Sequence, residues 1–241
     1  MSRKIIILSL IAVLALFFGI KLNNFIIGQK ILGDYTSINS AYLKIKPVKR
    51  DIRHGIAVAS LYSSLAGIKF NIPKTDTFKT FKLREVYRAF YFADSSKLKV
   101  FKDSINMDFI QILSSIKHSN NNIIGNYIRG NKVTSNFDLL LLTYNKTPTN
   151  ISFFNLSKEN TIIQYTFLKL KDLCARSGEE KAFYYFNLKN IKGFQYGSPK
   201  PRWITQVDIY TNKGEKYLLV FTGFKQEQID YIIASINDSL Q

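Results

Sequence analysis

The sequence predicts an α+β protein: one N-terminal transmembrane helix followed by a single domain with a mainly antiparallel sheet flanked by helices. Three observations support this fold class. A continuous apolar run opens the chain. Several later segments alternate apolar and polar side chains and are joined by short turns, which is typical of antiparallel strands. Segments with a helical period of three to four residues lie between groups of those strands, as in α+β domains.

The apolar run at residues 5–27 is the predicted membrane anchor. It makes about 34 Å of helix, which is enough to cross a hydrocarbon core of roughly 30 Å with some tilt. Lys21 fits within such a span because its long stem lets the ammonium group reach the interface. No small-residue cleavage site follows the apolar stretch, and the only cysteine, Cys174, excludes a lipoprotein signal. The sequence therefore favours an uncleaved signal anchor, and a cleaved signal peptide is the alternative.

The charges on either side of the anchor set its expected orientation. Arg3 and Lys4 lie on the N-terminal side of the span, and Lys21 and Lys30 lie close on the other side, so the positive-inside rule favours a cytoplasmic N-terminus by a narrow margin. We expect a single-pass protein of the inner (cytoplasmic) membrane, with the bulk of the chain periplasmic or otherwise extracytoplasmic. A single cysteine cannot form an internal disulfide, which suits either side of that membrane.

Four segments make up the predicted organisation: a short N-terminal segment (1–4), the transmembrane signal anchor (5–27), a tether (28–50) and an α+β domain (51–241). The tether lacks a hydrophobic period and contains glycine, serine, aspartate and proline residues that favour turns. The domain has about 190 residues, which is enough to bury a sizeable core.

Two helices and three strands are predicted in the first half of the domain. A helix begins near Asp51 and ends at Gly67, where glycine favours a helix stop. The predicted strands are 67–73, an edge strand with outward lysines at 78–82, and a central strand at 85–93 with aromatic residues on both faces. The second helix covers 103–116, and residues 118–122 form the loop after it.

The second half of the domain is predicted to contain three helices and four strands. The first helix, 135–145, has Ser135 as its cap, and the longest, 157–176, has Ser157. A strand follows at 182–188, and a glycine-flanked edge strand lies at 193–197. A hairpin joins 204–211 to 216–221 through a turn that contains Gly214, and the amphipathic helix 225–240 ends the domain.

The hairpin and helix at residues 204–240 resemble the end of the α-β-α sandwich of PsbP-like extrinsic proteins. This resemblance covers one supersecondary unit and no functional motif, so it implies no functional residues. Residues 192–197 also match the start of the RNA-recognition-motif signature at a few positions, but Ser198 and Pro199 interrupt the strand where that motif continues. An edge strand is the better interpretation, and we expect no nucleic-acid partner.

No catalytic, cofactor or metal site is predicted. His54, His118 and Cys174 are too few for a structural zinc site, and the common nucleotide-binding, protease and hydrolase motifs are absent. Cys174 lies on the apolar stripe of the predicted 157–176 helix, where a free cysteine acts as a small hydrophobe, so we expect it to be structural. The sequence favours a protein that is not an enzyme, and an enzyme without a recognisable motif is the alternative.

The formal net charge of +17 favours anionic partners. Most lysines are dispersed, which is typical of a solvated surface. One denser cluster is predicted to contact anionic headgroups at the membrane surface: Lys44, Lys46, Lys49, Arg50 and Arg53. These features predict a membrane-tethered, non-enzymatic binding or accessory module of a bacterial cell envelope that acts through a protein partner. A binder of lipid headgroups or an envelope polymer is the alternative function.

Overall fold

The computed structural model describes residues 3–33, 40–52, 60–65, 67–84, 86–103, 120–174, 182–197, 199 and 203–240. The chain divides into two compact units. The helical unit contains α1 (Arg3–Leu32), α2 (Ala41–Lys44), α3 (Asn121–Gly130), most of α4 (Asn136–Tyr144) and α5 (Lys158–Cys174). The sheet unit contains every described strand, the first two residues of α4 and the last helix, α6 (Gln226–Ser239).

Eight strands of the sheet unit form one sheet with the order β1-β7-β8-β9-β10-β6-β5-β4. Their bounds are β1 (Val48–Lys49), β4 (Thr77–Leu83), β5 (Tyr87–Phe92), β6 (Lys97–Asp103), β7 (Phe183–Asn187), β8 (Ile191–Tyr196), β9 (Ile204–Thr211) and β10 (Lys216–Thr222). Among the described strands of this sheet, β1 and β7 pair in parallel and the other neighbours are antiparallel. The two remaining strands, β2 (Leu61–Leu65) and β3 (Ile68–Ile72), form a separate hairpin.

The core of the sheet unit combines one face of the large sheet with the β2–β3 hairpin and α6. The isoleucines that the helical period of α6 places on one side, Ile229, Ile232, Ile233 and Ile236, are all fully buried. A polar contact fixes α6 against the hairpin, because the Asn71 backbone N–H donates to the Ser235 hydroxyl at 3.0 Å. The predicted α+β class with a mainly antiparallel sheet flanked by helices is thus confirmed.

The helical unit is built around the contact between α1 and α5. A Cβ on Gly28 would lie 2.5 Å from the Tyr165 ring, so only glycine allows the two helices to approach this closely at that point. Nearer the N-terminus of α1, Asn24 lies about one turn from Gly28 and Lys21 about two turns. The Lys21 ammonium and the Asn24 amide both donate to the Leu156 carbonyl, at 3.1 and 3.0 Å. The second half of α1 is therefore part of a folded unit.

The first half of α1 is apolar and exposed from Ile6 to Ile20. By length and composition, the stretch Ile6–Leu32 is able to cross a membrane, and it is the one such helix among the residues that the structure describes. The predicted span, 5–27, coincides with its larger part.

The helix predicted from Asp51 to Gly67 differs from the observed structure, which describes Leu61–Leu65 as strand β2. The side chains of β2 alternate between the core and the surface, with Ser63 and Leu65 buried, and the chain then reverses at Gly67 with φ of +99°. Gly67 therefore serves a hairpin turn and does not end a helix. Residues 53–59 lie outside the described part of the chain.

The loop predicted at residues 118–122 is also wrong in its described portion. Asn120 is the N-cap of α3, and its side-chain oxygen accepts the Ile123 N–H at 3.3 Å. The asparagine run reads as a loop by composition, but asparagine is a preferred N-cap residue as well. The helix predicted at 103–116 lies outside the described residues, apart from Asp103, which ends β6.

The sheet differs from the prediction in the position of β8 and in the presence of β6. β8 was expected at an edge, yet it lies between β7 and β9. Gly193 permits this central position, since a Cβ there would lie 2.4 Å from both the Asp208 carbonyl and the Phe186 ring. β6 was not predicted at all, although Leu98 and Val100 are buried between exposed or half-buried lysines. The edge position of β4, with its lysines exposed, is confirmed.

Residues 28–50, the predicted tether, contain three pieces of regular structure. α1 continues to Leu32, α2 follows at Ala41–Lys44, and β1 pairs with β7. The Arg50 backbone N–H extends that pairing by donating to the Tyr185 carbonyl at 2.9 Å. The lack of a hydrophobic period here reflects short elements, because two- and four-residue segments are too brief to show one.

Candidate binding surface

One face of the large sheet is left open at its β4 end. The strand register places twelve residues on this face: Lys79, Phe81 and Leu83 from β4; Tyr87, Ala89 and Tyr91 from β5; Lys97, Lys99 and Phe101 from β6; and Leu218, Val220 and Thr222 from β10. We call these residues the open face. They alternate along each strand with residues such as Phe90 and Val100, which point into the core, because successive side chains of a strand alternate in direction.

Aromatic rings form a connected row on the open face. The Phe81 and Tyr87 ring centroids are 5.9 Å apart, and those of Tyr87 and Phe101 are 4.7 Å apart. Phe81 is 47% exposed and the neighbouring Leu83 is 53% exposed. These apolar side chains are accessible at the β4 edge of the sheet.

The centre of the open face is closed by two tyrosines that flank Ala89. Ala89 is fully buried and lies between Tyr87 and Tyr91, which are half-buried. Burial, and secondarily the adjacent Tyr91 hydroxyl, raises the pKa of Tyr87. The Tyr87 phenol therefore stays neutral at physiological pH and can donate or accept hydrogen bonds at the surface.

Three lysines give the open face a positive charge. Lys79 and Lys97 are exposed, Lys99 is half-buried, and the twelve residues include no carboxylate. The Lys97 ammonium lies 6.0 Å from the centroid of the Tyr91 ring, a cation–π geometry that leaves the charge at the surface. The face therefore combines cationic groups with aromatic rings on a single sheet surface.

The same side of the sheet is closed toward β7, β8 and β9. Phe137, from the start of α4, stacks on Phe194 with 4.8 Å between ring centroids. Phe183 and Tyr196 stack at 5.0 Å, and all four residues are buried. The open face is thus the uncovered part of a surface whose other part is a packed aromatic layer.

The predicted membrane-surface cluster is not uniform. Lys44, Lys46 and Lys49 are exposed. Arg50 instead forms a partly buried ion pair with Asp230 of α6, and its guanidinium lies 5.8 Å from the centroid of the Tyr184 ring. Arg53 lies outside the described residues. Arg50 therefore holds β1 in the sheet unit, whereas the three exposed lysines remain available to a ligand.

A chain of polar contacts continues inward from this ion pair. The Gln226 amide donates to Asp230 at 2.8 Å, and Gln226 and the fully buried Gln195 exchange two amide hydrogen bonds at 2.8 and 3.2 Å. These side chains bind one another, so we assign the chain Gln195, Gln226, Asp230 and Arg50 to stability.

Lys171 is the one buried lysine in the described part of the chain. Its ammonium donates to the carbonyls of Leu43, Tyr144 and Lys146, each at 3.0 Å. The Tyr144 carbonyl is in the last residue of α4, the Lys146 carbonyl lies two residues beyond it, and the Leu43 carbonyl belongs to α2. Backbone acceptors at helix ends lack partners within their own helix. Lys171 thus ties three segments of the helical unit together.

The residues considered for catalysis are not brought together in the described structure. His54 and His118 lie outside the described residues. Cys174 is the last residue of α5 and is partly buried, and its carbonyl accepts the Tyr144 hydroxyl at 3.1 Å. No group of three or more His, Cys, Asp or Glu able to hold a metal ion occurs in the described part of the chain.

The sequence contains a pattern that indicates part of the open face, although no strand is predicted there. Lys97, Lys99 and Phe101 alternate with Leu98 and Val100, a period-two pattern that marks a strand with a cationic outer face. Without β6, the lysines and the aromatic residues of β4 and β5 could not be placed on one surface.

No protein-family model matches the chain, and neither the curated proteins nor the solved structures contain a significant match.

Proposed function

We propose that the chain is a membrane-anchored binding module without catalytic activity, and that it holds an acidic partner protein on the open face. The observation that carries this proposal is the combination of exposed aromatic side chains and lysines, without a carboxylate, on one sheet surface. Aromatic residues supply large contact areas in protein interfaces, and complementary charge orients the encounter. A flat sheet suits a macromolecule better than a small ligand, which prefers a concave site.

The anchor part of the proposal rests on α1. Its exposed apolar half supports a single-pass protein of a bacterial inner membrane with both units on the extracytoplasmic side. Intact-mass measurement of the membrane fraction should show the uncleaved chain, and a mature protein starting at or beyond Ile20 would contradict the anchor. A reporter that is active only outside the cytoplasm, fused after Gln241, should be active; a stable but inactive fusion would reverse the topology.

Co-purification with a matched charge control tests the binding surface. Phe81→Ala combined with Lys97→Ala removes an exposed ring and an exposed charge from the open face. Lys189→Ala combined with Lys213→Ala removes two exposed lysines elsewhere in the sheet unit. After mild cross-linking and detergent extraction, the parent chain and the control pair should retain the same acidic partner in constant ratio. The open-face pair should lose it, and equal retention by all three chains would refute the surface assignment.

An anionic ligand is the second candidate, and the exposed Lys44, Lys46 and Lys49 favour it. Such residues gain about 1 kcal/mol each near anionic headgroups. A chain that begins at Lys21 keeps the α1–α5 packing and removes most of the apolar half, so the salt-dependent part of its vesicle binding reports the surface charges. Binding to anionic vesicles that weakens with salt and with neutralisation of these three lysines supports this candidate; binding that neither change affects contradicts it.

A further inference from the structure

The turn that precedes α5 carries two phenylalanines beside the apolar half of α1. Phe153 and Phe154 belong to a short 3-10 turn, Phe153–Asn155. The Phe153 ring stacks on Phe18 of α1 with 6.2 Å between centroids, and Phe154 is 66% exposed. Exposed phenylalanine next to an exposed apolar helix needs an explanation, because both would be solvated unfavourably in water.

Two hydrogen bonds fix the height of this turn along α1. The Leu156 carbonyl accepts from Lys21 and Asn24, which lie one turn apart on α1. Phe153, stacked on Phe18, lies further toward the apolar end. Apolar side chains of α1 stay exposed as far as Phe25 and Ile26. Phe18 lies about 12 Å along the helix axis from Ile26.

We propose that the turn Phe153–Asn155 inserts into the lipid bilayer beside α1, with Phe154 in contact with acyl chains. This inference rests on the proposed membrane anchor. A bilayer surface placed anywhere between Lys21 and Ile26 leaves Phe153 on the membrane side of that boundary. Lys21 then occupies the interface, where its ammonium is satisfied by the Leu156 carbonyl. The occupant is lipid because the apolar surface of the turn is continuous with that of the spanning half of α1.

The direction of α5 provides a matched control. Leu156 contacts α1 at Lys21 and Asn24, and Tyr165 contacts it at Gly28, so α5 leads away from the apolar half as its residue numbers rise. Leu173, near the far end of α5, is 56% exposed, which is close to the exposure of Phe154. It lies about 22 Å along α5 from Lys158, and we expect it to remain in water.

Tryptophan quenching in reconstituted vesicles tests the insertion. The chain contains one tryptophan, so Trp203→Phe gives a background for three single-tryptophan chains: Leu14→Trp in α1, Phe154→Trp in the turn and Leu173→Trp as control. Each full chain is reconstituted into phosphatidylcholine vesicles with or without bromine on the acyl chains. All three substitutions fall on exposed side chains, and thermal melting of each chain verifies its fold.

The expected result is a loss of fluorescence with brominated lipid for Leu14→Trp and Phe154→Trp, together with a blue-shifted emission, and neither change for Leu173→Trp. Quenching of Leu14→Trp without quenching of Phe154→Trp would leave the anchor standing and overturn the insertion. It would also point to a protein partner on the turn. Absence of quenching at Leu14 would overturn the anchor itself, and the insertion with it. Equal quenching at Phe154 and Leu173 would contradict the proposed height of the turn.

Discussion

Replacing Gly28 by alanine tests the contact on which the helical unit depends. The new Cβ would lie 2.5, 2.6 and 2.7 Å from three ring carbons of Tyr165. Comfortable carbon–carbon contacts are about 3.5–4.0 Å, so α1 and α5 must separate by about 1 Å. The ring cannot move aside easily, because Tyr165 is fully buried. Overpacking of this kind costs about 1–3 kcal/mol.

Gly125→Ala supplies the control for backbone effects. Gly125 lies within α3 of the same unit, and a Cβ there would meet nothing within 4 Å. Alanine in place of a helical glycine gains about 1 kcal/mol of stability, and both variants receive this gain. The difference in unfolding free energy between them therefore isolates the packing penalty. At about 1–3 kcal/mol, it corresponds to a melting-temperature difference of about 2–12 °C for a chain of this size.

Thermal unfolding followed by circular dichroism, on the chain that begins at Lys21, measures this difference. Tyr165→Leu should cost less stability in the Gly28→Ala background than in the parent, because the smaller side chain makes room for the new methyl group. Equal melting temperatures for Gly28→Ala and Gly125→Ala would refute the close approach of α1 and α5.

Three further predictions concern charged groups. Lys171→Met keeps the stem but leaves three carbonyls without their shared donor. We therefore expect the free energy of unfolding, measured with denaturant, to fall by about 3 kcal/mol or more. A loss below about 1 kcal/mol would show that water replaces the ammonium. Burial acts to raise the pKa of Asp94, but hydrogen bonds from Lys74 and Ser96 outweigh it and lower that pKa to about 2. The contribution of Asp94 to stability is therefore complete above its unfolded pKa of about 4 and is lost as the pH falls through about 2. Its carboxyl NMR titration should show this, and a normal midpoint would contradict the pairing. Arg50→Ala should lower stability by about 1–3 kcal/mol through loss of the Asp230 ion pair, whereas Lys49→Ala should leave stability within about 0.5 kcal/mol. Equal effects of these two substitutions would refute the distinct role of Arg50.

Sequence reasoning was most successful where a long element buries one regular face. The isoleucines of α6 and the turn at Gly214, which has φ of +81°, are local signals and identify the final hairpin and helix. Sequence reasoning failed where one residue type has two structural uses. Asn120 suits a loop and an N-cap equally, and Gly67 suits a helix stop and a hairpin turn. Only long-range contacts distinguish these uses.

The open face could be predicted only in part. Its aromatic residues lie on strands that the sequence indicates, and the edge position of β4 follows from its lysines. The placement of Lys97 and Lys99 beside Phe81 and Tyr91 depends on the pairing of β5 with β6. The ion pair of Arg50 could not be predicted from the sequence either, because its partner, Asp230, lies 180 residues away in the chain.

Because α1 is one unbroken helix, the length of its apolar half can change without changing the packing of its second half against α5. A residue inserted before Phe17 lengthens the apolar rod by about 1.5 Å and turns the part before it by about 100°, but leaves the contacts of Phe18, Asn24 and Gly28 in register. Since apolar side chains surround the first half of the helix, that rotation changes little in lipid. The same insertion after Asn24 would swing Gly28 away from Tyr165. In the proposed membrane anchor, span length can therefore adapt to bilayers of different thickness only on the N-terminal side of Phe17.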